Sequence, residues 1–201
     1  MLSTTLRLEI QPLSEMTPEP SWPSDKSIVL VGLMGAGKTS VGRKLAEIMD
    51  YSFTDADEEI CKAAGCSIGD IFDKYGEDAF RDVEERVISR LLQEGPRVLA
   101  TGGGAFMNPR IQALISSNGI SVWLRADLDV LVRRTRRRGG RPLLKNKNHR
   151  ATLEELIIER GPVYAKSDIV VDSTDEGPNA TAKLVMIALA DKIQPGQKSS
   201  S

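Results

Sequence analysis

Histidine and cysteine are scarce in this sequence, which contains one histidine and two cysteines among its 201 residues. Cys61 and Cys66 lie close together, and no second cysteine pair or histidine cluster could complete a zinc site with them. The composition therefore argues against a zinc protein, and two reduced thiols are typical of a reducing compartment. The single histidine, His149, is expected to lie in a solvated loop without a functional role.

Long apolar runs are also absent, since no stretch approaches the roughly 20 residues that a membrane-spanning helix needs. The N-terminus has no basic region followed by an apolar stretch, so it does not resemble a secretory signal. Together with the reduced cysteines, these absences lead us to expect a cytoplasmic protein with no membrane partner.

Neither sign of charge is in excess, with 27 lysines and arginines against 28 aspartates and glutamates. The chain lacks the overall basic field that nucleic-acid-binding domains carry, so no nucleic-acid partner is expected. A monomer that acts on a small molecule is the expected state.

The chain is predicted to form one ordered domain between two loose ends. Residues 1–24 carry four prolines among Ser, Thr and Glu, a composition that buries little surface and predicts a disordered tail. Residues 194–201 look similarly loose, so the ordered domain is expected to span residues 25–193.

Within this domain, short apolar runs rich in β-branched residues alternate with helical patterns. Strands are predicted at 27–31, 51–54, 97–100, 120–124 and 168–171, and a helix is predicted over 38–49. Further apolar stripes with helical spacing are Phe80, Val83, Val87, Leu91 and, more loosely, Leu184, Ile187, Leu189. This alternation is typical of an α/β domain in which a five-stranded parallel sheet lies between two layers of helices. Ligands of such sheets bind beyond the carboxyl ends of the strands.

The first predicted strand runs directly into a glycine-rich segment, GLMGAGKT, at residues 32–39. This segment fits the phosphate-loop pattern G-x-x-x-x-G-K-[ST] at every fixed position. Its glycines let backbone N–H groups point at a phosphate, and the following helix adds its positive N-terminal end. Lys38 is predicted to reach the β- and γ-phosphates of ATP, and the Thr39 hydroxyl to ligate Mg²⁺. The residues predicted to bind the nucleotide here are Gly35, Ala36, Gly37, Lys38, Thr39 and Ser40.

A glycine turn that binds no nucleotide is the alternative interpretation of this loop. The dinucleotide fingerprint G-x-G-x-x-G is absent, because Ser40 stands where its third glycine would be. A nicotinamide enzyme is therefore disfavoured. The loop alone does not separate kinases from GTPases and motor ATPases, so other residues must identify the reaction.

Two aspartates follow the second predicted strand, in the segment Asp55-Ala56-Asp57. We expect them at the same edge of the sheet as the phosphate loop, one holding Mg²⁺ and the other contacting a sugar-like hydroxyl. In the alternative interpretation, Asp57 is the N-cap of a helix beginning at Glu58.

Arg81 and the run Gly102-Gly103-Gly104 are candidates for a second-substrate site. Arg81 follows a residue of a helical stripe, and an i,i+4 ion pair with Glu77 is its alternative interpretation. Three consecutive glycines favour no regular structure and suit a place where backbone approaches a ligand closely, although a plain loop also accepts them.

Arginines are concentrated between Arg133 and Arg141, a segment that contains Gly139-Gly140. Such a run usually lies on a solvated face, and a nucleic-acid patch is a second alternative. After a phosphate loop, it favours arginines that close over transferring phosphates on a mobile lid at about residues 135–150. Arg160, before Gly161-Pro162, is predicted to end a helix, where the dipole favours a basic residue.

In their order along the chain, these motifs resemble the shikimate kinase family over nearly the whole predicted domain. The resemblance is carried by GLMGAGKT at 32–39, Asp55-x-Asp57, Phe80-Arg81-x-x-Glu84, Thr101-Gly102-Gly103-Gly104, Arg141-Pro142-Leu143-Leu144 and Glu159-Arg160-x-Pro162-x-Tyr164. One departure is Thr39-Ser40, where the family commonly has Ser-Thr. The swap keeps a hydroxyl for Mg²⁺.

The resemblance implies the three-layer fold of P-loop kinases, with a small substrate-binding subdomain at about residues 55–84. It implies that ATP and shikimate give ADP and shikimate 3-phosphate, on the pathway to chorismate and the aromatic amino acids. The residues implied to bind shikimate are Asp57, Arg81, Gly102, Gly103, Gly104 and Arg160.

The resemblance also implies roles for residues on the ATP side. Arg141 resembles the lid arginine that binds the phosphates, and Arg134 resembles the arginine that stacks on adenine. The residues implied to be catalytic are Lys38, Asp57 and Arg141, and those implied to hold Mg²⁺ are Thr39 and Asp55. Whether Asp57 is a general base or only anchors the substrate stays open.

Two rival functions remain open at this point. A gluconate or nucleoside monophosphate kinase would share the fold, although the glycine run with Asp57 better suits a compact polyol acid. A regulatory or nucleic-acid-binding NTPase would use the arginine run for docking, and its binding would depend steeply on salt.

Overall fold

The computed structural model describes residues 25–136 and 148–193. Within them the strands are β1 (Ser27–Val31), β2 (Phe53–Asp55), β3 (Val98–Ala100), β4 (Gly119–Arg125) and β5 (Ile169–Asp172). The helices are α1 (Lys38–Met49), α2 (Ala56–Ala64), α3 (Ile68–Gln93), α4 (Pro109–Asn118), α5 (Leu128–Arg136), α6 (His149–Tyr164) and α7 (Pro178–Ile193), with a short 3₁₀ helix at Ala105–Met107. None of the helices in this part of the chain is long and apolar enough to cross a membrane.

The five strands form one parallel sheet in the order β2-β3-β1-β4-β5. All five residues of the central strand β1 are buried, which requires cover on both faces of the sheet. The predicted α/β fold with a central five-stranded parallel sheet is confirmed. Since β1 and β3 are neighbours, the loops that follow them meet at the same edge.

Helix α2 begins one residue after β2 because Asp55 is its N-cap. The Asp55 Oδ1 atom accepts a hydrogen bond of 3.1 Å from the backbone N–H of Asp57. The alternative interpretation, in which Asp57 caps a helix from Glu58, is therefore wrong. Asp57 lies in the first turn, where a carboxylate interacts favourably with the helix dipole.

Helix α3 contains a break at Gly76, whose φ of 82° and ψ of 177° are not helical. Its N-terminus is fixed by a capping box between Ser67 and Asp70. The range 55–84 thus comprises α2 and the first part of α3, which continues to Gln93.

The prediction that Arg160 ends a helix is wrong, because α6 continues through Pro162 to Tyr164. Proline has no N–H, so it removes the helical bond to the carbonyl of Ile158, four residues earlier. Ile158 is 72% exposed, so this side of the helix faces solvent, where a missing helical bond costs less than it would in the core. The helix therefore tolerates the proline.

The predicted apolar stripe on α7 is only partly correct. Leu189 is buried, but Leu184 and Ile187 are 41% and 59% exposed. The buried face instead consists of Thr181, Ala182, Val185 and Leu189, which have the spacing of one helical face.

Some predictions fall on residues that the structure does not describe. These are the two tails, at residues 1–24 and 194–201, and most of the predicted lid, including Arg141. Of the predicted lid, Thr135 and Arg136 end α5, and His149 and Arg150 begin α6.

Candidate active site

The phosphate loop joins β1 to α1 and depends on glycine at three positions. Gly32, Gly35 and Gly37 have φ angles of 132°, 86° and 99°, a region that other L-residues rarely adopt. At Gly35 a Cβ atom would also lie 2.8 Å from Cγ2 of Thr135. The loop therefore has the turn that a phosphate-binding backbone needs, directly before the N-terminus of α1.

The Lys38 side chain folds back over this loop. Its Nζ atom donates to the backbone carbonyls of Gly32 at 2.6 Å and Leu33 at 3.0 Å. The ammonium group thus lies at the concave side of the loop, beside the helix N-terminus. Both carry positive charge, which suits a polyphosphate.

Thr39 and Asp55 form the pair of oxygen ligands best suited to a hard cation. The Thr39 Oγ1 atom donates to Asp55 Oδ2 at 2.8 Å, which brings the first turn of α1 to the end of β2. Hydroxyl and carboxylate oxygens suit Mg²⁺, which usually takes few protein ligands and completes its shell with water and phosphate oxygens. The described residues contain no group of three or more His, Cys, Asp or Glu side chains that could hold a metal ion by themselves.

A cleft of about 370 Å³ opens above the phosphate loop. Its walls include Lys38, Thr39 and Asp55, and also Asp57 and Gly103 from the predicted acceptor site. The other predicted loop residues that line it are Gly35, Gly37 and Ser40. Two of the predicted acceptor residues thus share this cavity with the phosphate loop. The other four do not line it: Arg81, Gly102, Gly104 and Arg160.

Arg134 lines this cleft beside the phosphate loop. Its Nη1 donates to Ser173 Oγ at 2.9 Å and more weakly to the carbonyls of Gly35 and Ala36, both at 3.4 Å. Its Nη2 donates to the carbonyl of Thr174 at 2.6 Å. The guanidinium thus connects the phosphate loop to the segment after β5, and its burial lowers its pKa.

The segment from β5 into α7 forms a wall of the cleft that the sequence analysis missed. The residues that contribute are Ser173, Asp175, Gly177, Pro178 and Thr181. No motif marks them, but their position after the carboxyl end of a strand could have identified them, since ligands of parallel sheets bind there.

Asp57 and Glu84 converge on Gly102 at the acceptor end. A Cβ atom on Gly102 would lie 2.9 Å from Asp57 Oδ1 and 2.9 Å from Glu84 Oε1. Glycine is therefore needed here to make room for two carboxyl groups, rather than for backbone flexibility alone.

Arg81 is held between two carboxylates of its own helix. It contacts Glu77 Oε1 through Nε at 3.2 Å and Nη2 at 2.9 Å, and Glu84 Oε2 through Nη1 at 2.7 Å. The ion pair with Glu77 is confirmed, but it is only one of the two that Arg81 makes. The guanidinium also packs on Gly104, where a Cβ would lie 2.6 Å from Nη2.

Glu84 is the most buried acid of the site, with 1% of its surface exposed. Burial raises the pKa of its carboxyl group, and Arg81 acts in the opposite direction. Its Oε1 atom accepts no hydrogen bond from any described residue.

Arg160, in α6, reaches the site through a contact with Gly103. The Gly103 carbonyl accepts a 3.2 Å hydrogen bond from Arg160 Nη1 and another from the hydroxyl of Tyr164. Burial raises the pKa of Tyr164 to about 12, so its phenol stays protonated and donates. A Cβ atom on Gly103 would lie 3.4 Å from the backbone nitrogen of Met34, so this glycine lies against the phosphate loop.

His149 is not a loop residue, contrary to expectation. It begins α6, and its Nε2 atom shares a 2.6 Å hydrogen bond with Thr135 Oγ1 at the end of α5. The bond joins the two helix ends that flank residues 137–147.

Comparison with known proteins gives one consistent result. The family model described as shikimate kinase matches residues 34–190. A shikimate kinase from Mesorhizobium japonicum is 49% identical over 164 residues, covering 82% of this chain and 81% of that protein. Another from Paramagnetospirillum magneticum is 50% identical over 177 residues, covering 88% and 91%.

Solved structures similar to this chain include another shikimate kinase. Shikimate kinase from Acinetobacter baumannii, in complex with shikimate, has a TM-score of 0.80 and 36% identity, with coverage of 84% of this chain and 96% of that one. A gluconokinase from Sinorhizobium meliloti has a TM-score of 0.54 and 21% identity, with coverage of 83% and 93%. The second likeness concerns the fold alone.

Proposed function

This chain belongs to the shikimate kinase family, and we propose that the cleft above its phosphate loop is where ATP phosphorylates the 3-hydroxyl of shikimate. The family's reaction gives ADP and shikimate 3-phosphate and serves aromatic amino acid biosynthesis. The observation that best supports this proposal is the approach of Gly103 to the phosphate loop at Met34, because Gly103 also accepts a hydrogen bond from Arg160. The proposed anion site would then lie beside the proposed phosphate site.

The donor side of the proposal rests on the loop and Lys38. The loop backbone and the N-terminus of α1 bind the phosphates of ATP, and Lys38 exchanges its carbonyl partners for phosphate oxygens. Arg134 and the segment after β5 surround the base. Arg141 acts from the lid on the transferring phosphoryl group, a role that rests on the family resemblance.

Mg²⁺ is the proposed metal, held by Thr39 and, directly or through water, by Asp55. When bound, it neutralises charge on the β- and γ-phosphate oxygens. The 2.8 Å contact between the two side chains supports this assignment, because it already directs two oxygens at one place.

The acceptor side of the proposal uses the charges around the glycine run. Arg81 and Arg160 clamp the shikimate carboxylate with charge-assisted hydrogen bonds. Asp57 orients the attacking hydroxyl and accepts its proton, although positioning contributes more than basicity in a loose phosphoryl transfer. The backbone of Gly102, Gly103 and Gly104 completes the contact surface.

The proposal also covers the oligomeric state, the cellular location and the partners of the protein. We propose that the enzyme acts as a monomer, with a complete site in each copy of the chain. Sedimentation of the enzyme with and without ATP tests this. Cytoplasmic location and the lack of a nucleic-acid partner likewise remain proposals, tested by cell fractionation and by binding to DNA and RNA over a salt series.

A coupled ADP-release assay tests the proposed function. Shikimate, gluconate and nucleoside monophosphates are compared at equal concentrations with ATP and Mg²⁺, and background ATP hydrolysis is measured without acceptor. Only shikimate is expected to accelerate ADP release far above that background. Protein that binds ATP but shows no shikimate-dependent turnover would contradict the proposal.

A further inference from the structure

The surroundings of Glu84 disfavour the ionised form of its carboxyl group. Its side chain is 1% exposed, and one of its two carboxyl oxygens, Oε1, receives no hydrogen bond from the residues described. An ionised carboxylate keeps charge on both oxygens, and an unsolvated one is costly to bury. In the protonated form Oε1 carries an O–H group that needs an acceptor, and Asp57 Oδ1 approaches the same point beside Gly102. The other oxygen, Oε2, accepts from Arg81 at 2.7 Å.

Two other carboxylates near Glu84 also disfavour its ionised form. Asp57 of α2 approaches the same point beside Gly102, and Glu77 of α3 already pairs with Arg81. On the side of α6, Arg160 and the neutral phenol of Tyr164 meet the loop at Gly103. With Glu84 ionised, two guanidinium groups face three carboxylates, before an anionic substrate arrives.

An ionised Glu84 would moreover compete with the substrate. Arg81 can neutralise one further carboxylate well only if its inner partner does not hold that charge. A neutral Glu84 still accepts from Arg81 through Oε2 and keeps the guanidinium in place. Among the described residues, shikimate then competes for the charge of Arg81 only with the solvent-exposed Glu77. We propose that Glu84 is a positioning residue that acts in its protonated form, so that shikimate binding is coupled to proton uptake at this carboxyl group.

The sign of the coupling follows from the geometry. The substrate carboxylate adds negative charge beside Arg81, which makes the neutral form of Glu84 more favourable in the complex than in the free enzyme. A group that binds its proton more tightly in the complex strengthens binding at low pH and weakens it as pH rises. This inference rests on the proposed function, because it assumes that Arg81 binds the shikimate carboxylate.

Isothermal titration of nucleotide-free enzyme with shikimate tests the inference. Titrations run from about pH 6, where a simple carboxylic acid is ionised, to about pH 9. Each is done in two phosphate-free buffers that differ in ionisation enthalpy, MES and Bis-Tris at low pH and Bicine and Tris at high pH, so that the difference in heat reveals proton uptake. Glu84→Gln is the uncharged isostere, Glu84→Ala removes the contact with Arg81, and Glu77→Gln is the matched control at the exposed partner.

For the wild-type enzyme we expect uptake of up to about one proton and an affinity that falls by at most about tenfold per pH unit. Glu84→Gln should rescue binding to within about threefold of the wild-type value at low pH and should abolish proton uptake, whereas Glu84→Ala should lose about tenfold or more. Glu77→Gln should still take up a proton on binding, with the uptake shifted to lower pH because one neighbouring negative charge is gone.

Two results would overturn the inference without touching the proposed function. One is wild-type binding with no proton uptake across this range. The other is a Glu84→Gln variant that binds as weakly as Glu84→Ala, since that would require an ionised carboxylate. The comparison of wild type with Glu84→Gln decides the matter even if Glu84→Ala does not fold. No shikimate binding by folded wild-type enzyme would overturn both proposals together.

Discussion

Replacing Gly104 with alanine is expected to displace Arg81 without unfolding the protein. A Cβ atom at this position would lie 2.6 Å from Nη2, 2.7 Å from Nη1 and 3.0 Å from Cζ of Arg81. Real Cβ contacts are essentially never shorter than 3.0 Å, so one of the two groups must move. The guanidinium is the end of a flexible side chain, and it is the group that can move.

The expected losses of stability and of shikimate affinity follow from the backbone of Gly104 and from the hydrogen bond that a displaced Arg81 would no longer make to shikimate. The Gly104 backbone has φ −105° and ψ −13°, which alanine adopts without strain, and alanine keeps the backbone N–H. Stability should therefore change by no more than about 1 kcal/mol. A hydrogen bond to a charged group contributes about 1.5–3 kcal/mol, so shikimate affinity should fall by about 10- to 100-fold.

Steady-state kinetics with each substrate varied in turn, together with thermal unfolding, measure this effect. Gly69→Ala is the control, because its Cβ would meet only Ser67 Oγ, at an ordinary 3.7 Å. We expect Gly104→Ala to raise KM for shikimate while KM for ATP stays within about twofold. The reasoning is refuted if Gly104→Ala leaves KM for shikimate unchanged, or if both KM values rise equally.

Two further substitutions distinguish the ATP side of the site from the shikimate side, and a third tests the role of Tyr164. Arg160→Ala should raise KM for shikimate about 10- to 100-fold and spare KM for ATP, and equal effects on both would contradict the assignment. Arg134→Ala should show the opposite selectivity, because Arg134 contacts Ser173 and the phosphate loop; a change confined to shikimate would count against it. Tyr164→Phe should cost about 1 kcal/mol of unfolding free energy, measured by urea denaturation, because the Gly103 carbonyl loses a donor. With a wild-type pKa of about 12, this phenol should leave no inflection in the pH–rate profile between neutral pH and about pH 10, and one that Tyr164→Phe removes would contradict its neutral role.

The phosphate loop could be predicted well because its signal is local. A buried strand, a glycine turn and an amphipathic helix follow one another without a gap, and α1 spans the predicted residues 38–49. Each of these elements depends mainly on neighbours in sequence.

The acceptor end was harder to predict because its geometry depends on residues far apart in sequence. The sequence indicates Gly102 as a site of close approach, but not that Asp57 and Glu84 are the side chains that approach it. Nor could it show that Asp55, rather than Asp57, would cap α2, since both are equally good capping residues.

In α6 and α7, the sequence pattern predicts the wrong helix end and the wrong buried face. Pro162 predicts a helix end, yet α6 continues to Tyr164, with Ile158, the residue four positions before the proline, on the solvent face of the helix. On α7, the large apolar residues Leu184 and Ile187 suggest the wrong face, because part of the buried face is made by the small residues Thr181 and Ala182. Small residues contribute little to an apolar pattern but pack well against a neighbouring helix.

Phosphorus NMR of the reaction product tests the central claim most directly. The enzyme is incubated with ATP, Mg²⁺ and one equivalent of shikimate, and the coupling between phosphorus and the ring protons identifies the phosphorylated oxygen. We predict that the γ-phosphoryl group appears on the 3-hydroxyl of shikimate as ADP accumulates. Release of inorganic phosphate with shikimate unchanged, or phosphate on another hydroxyl, would contradict the account.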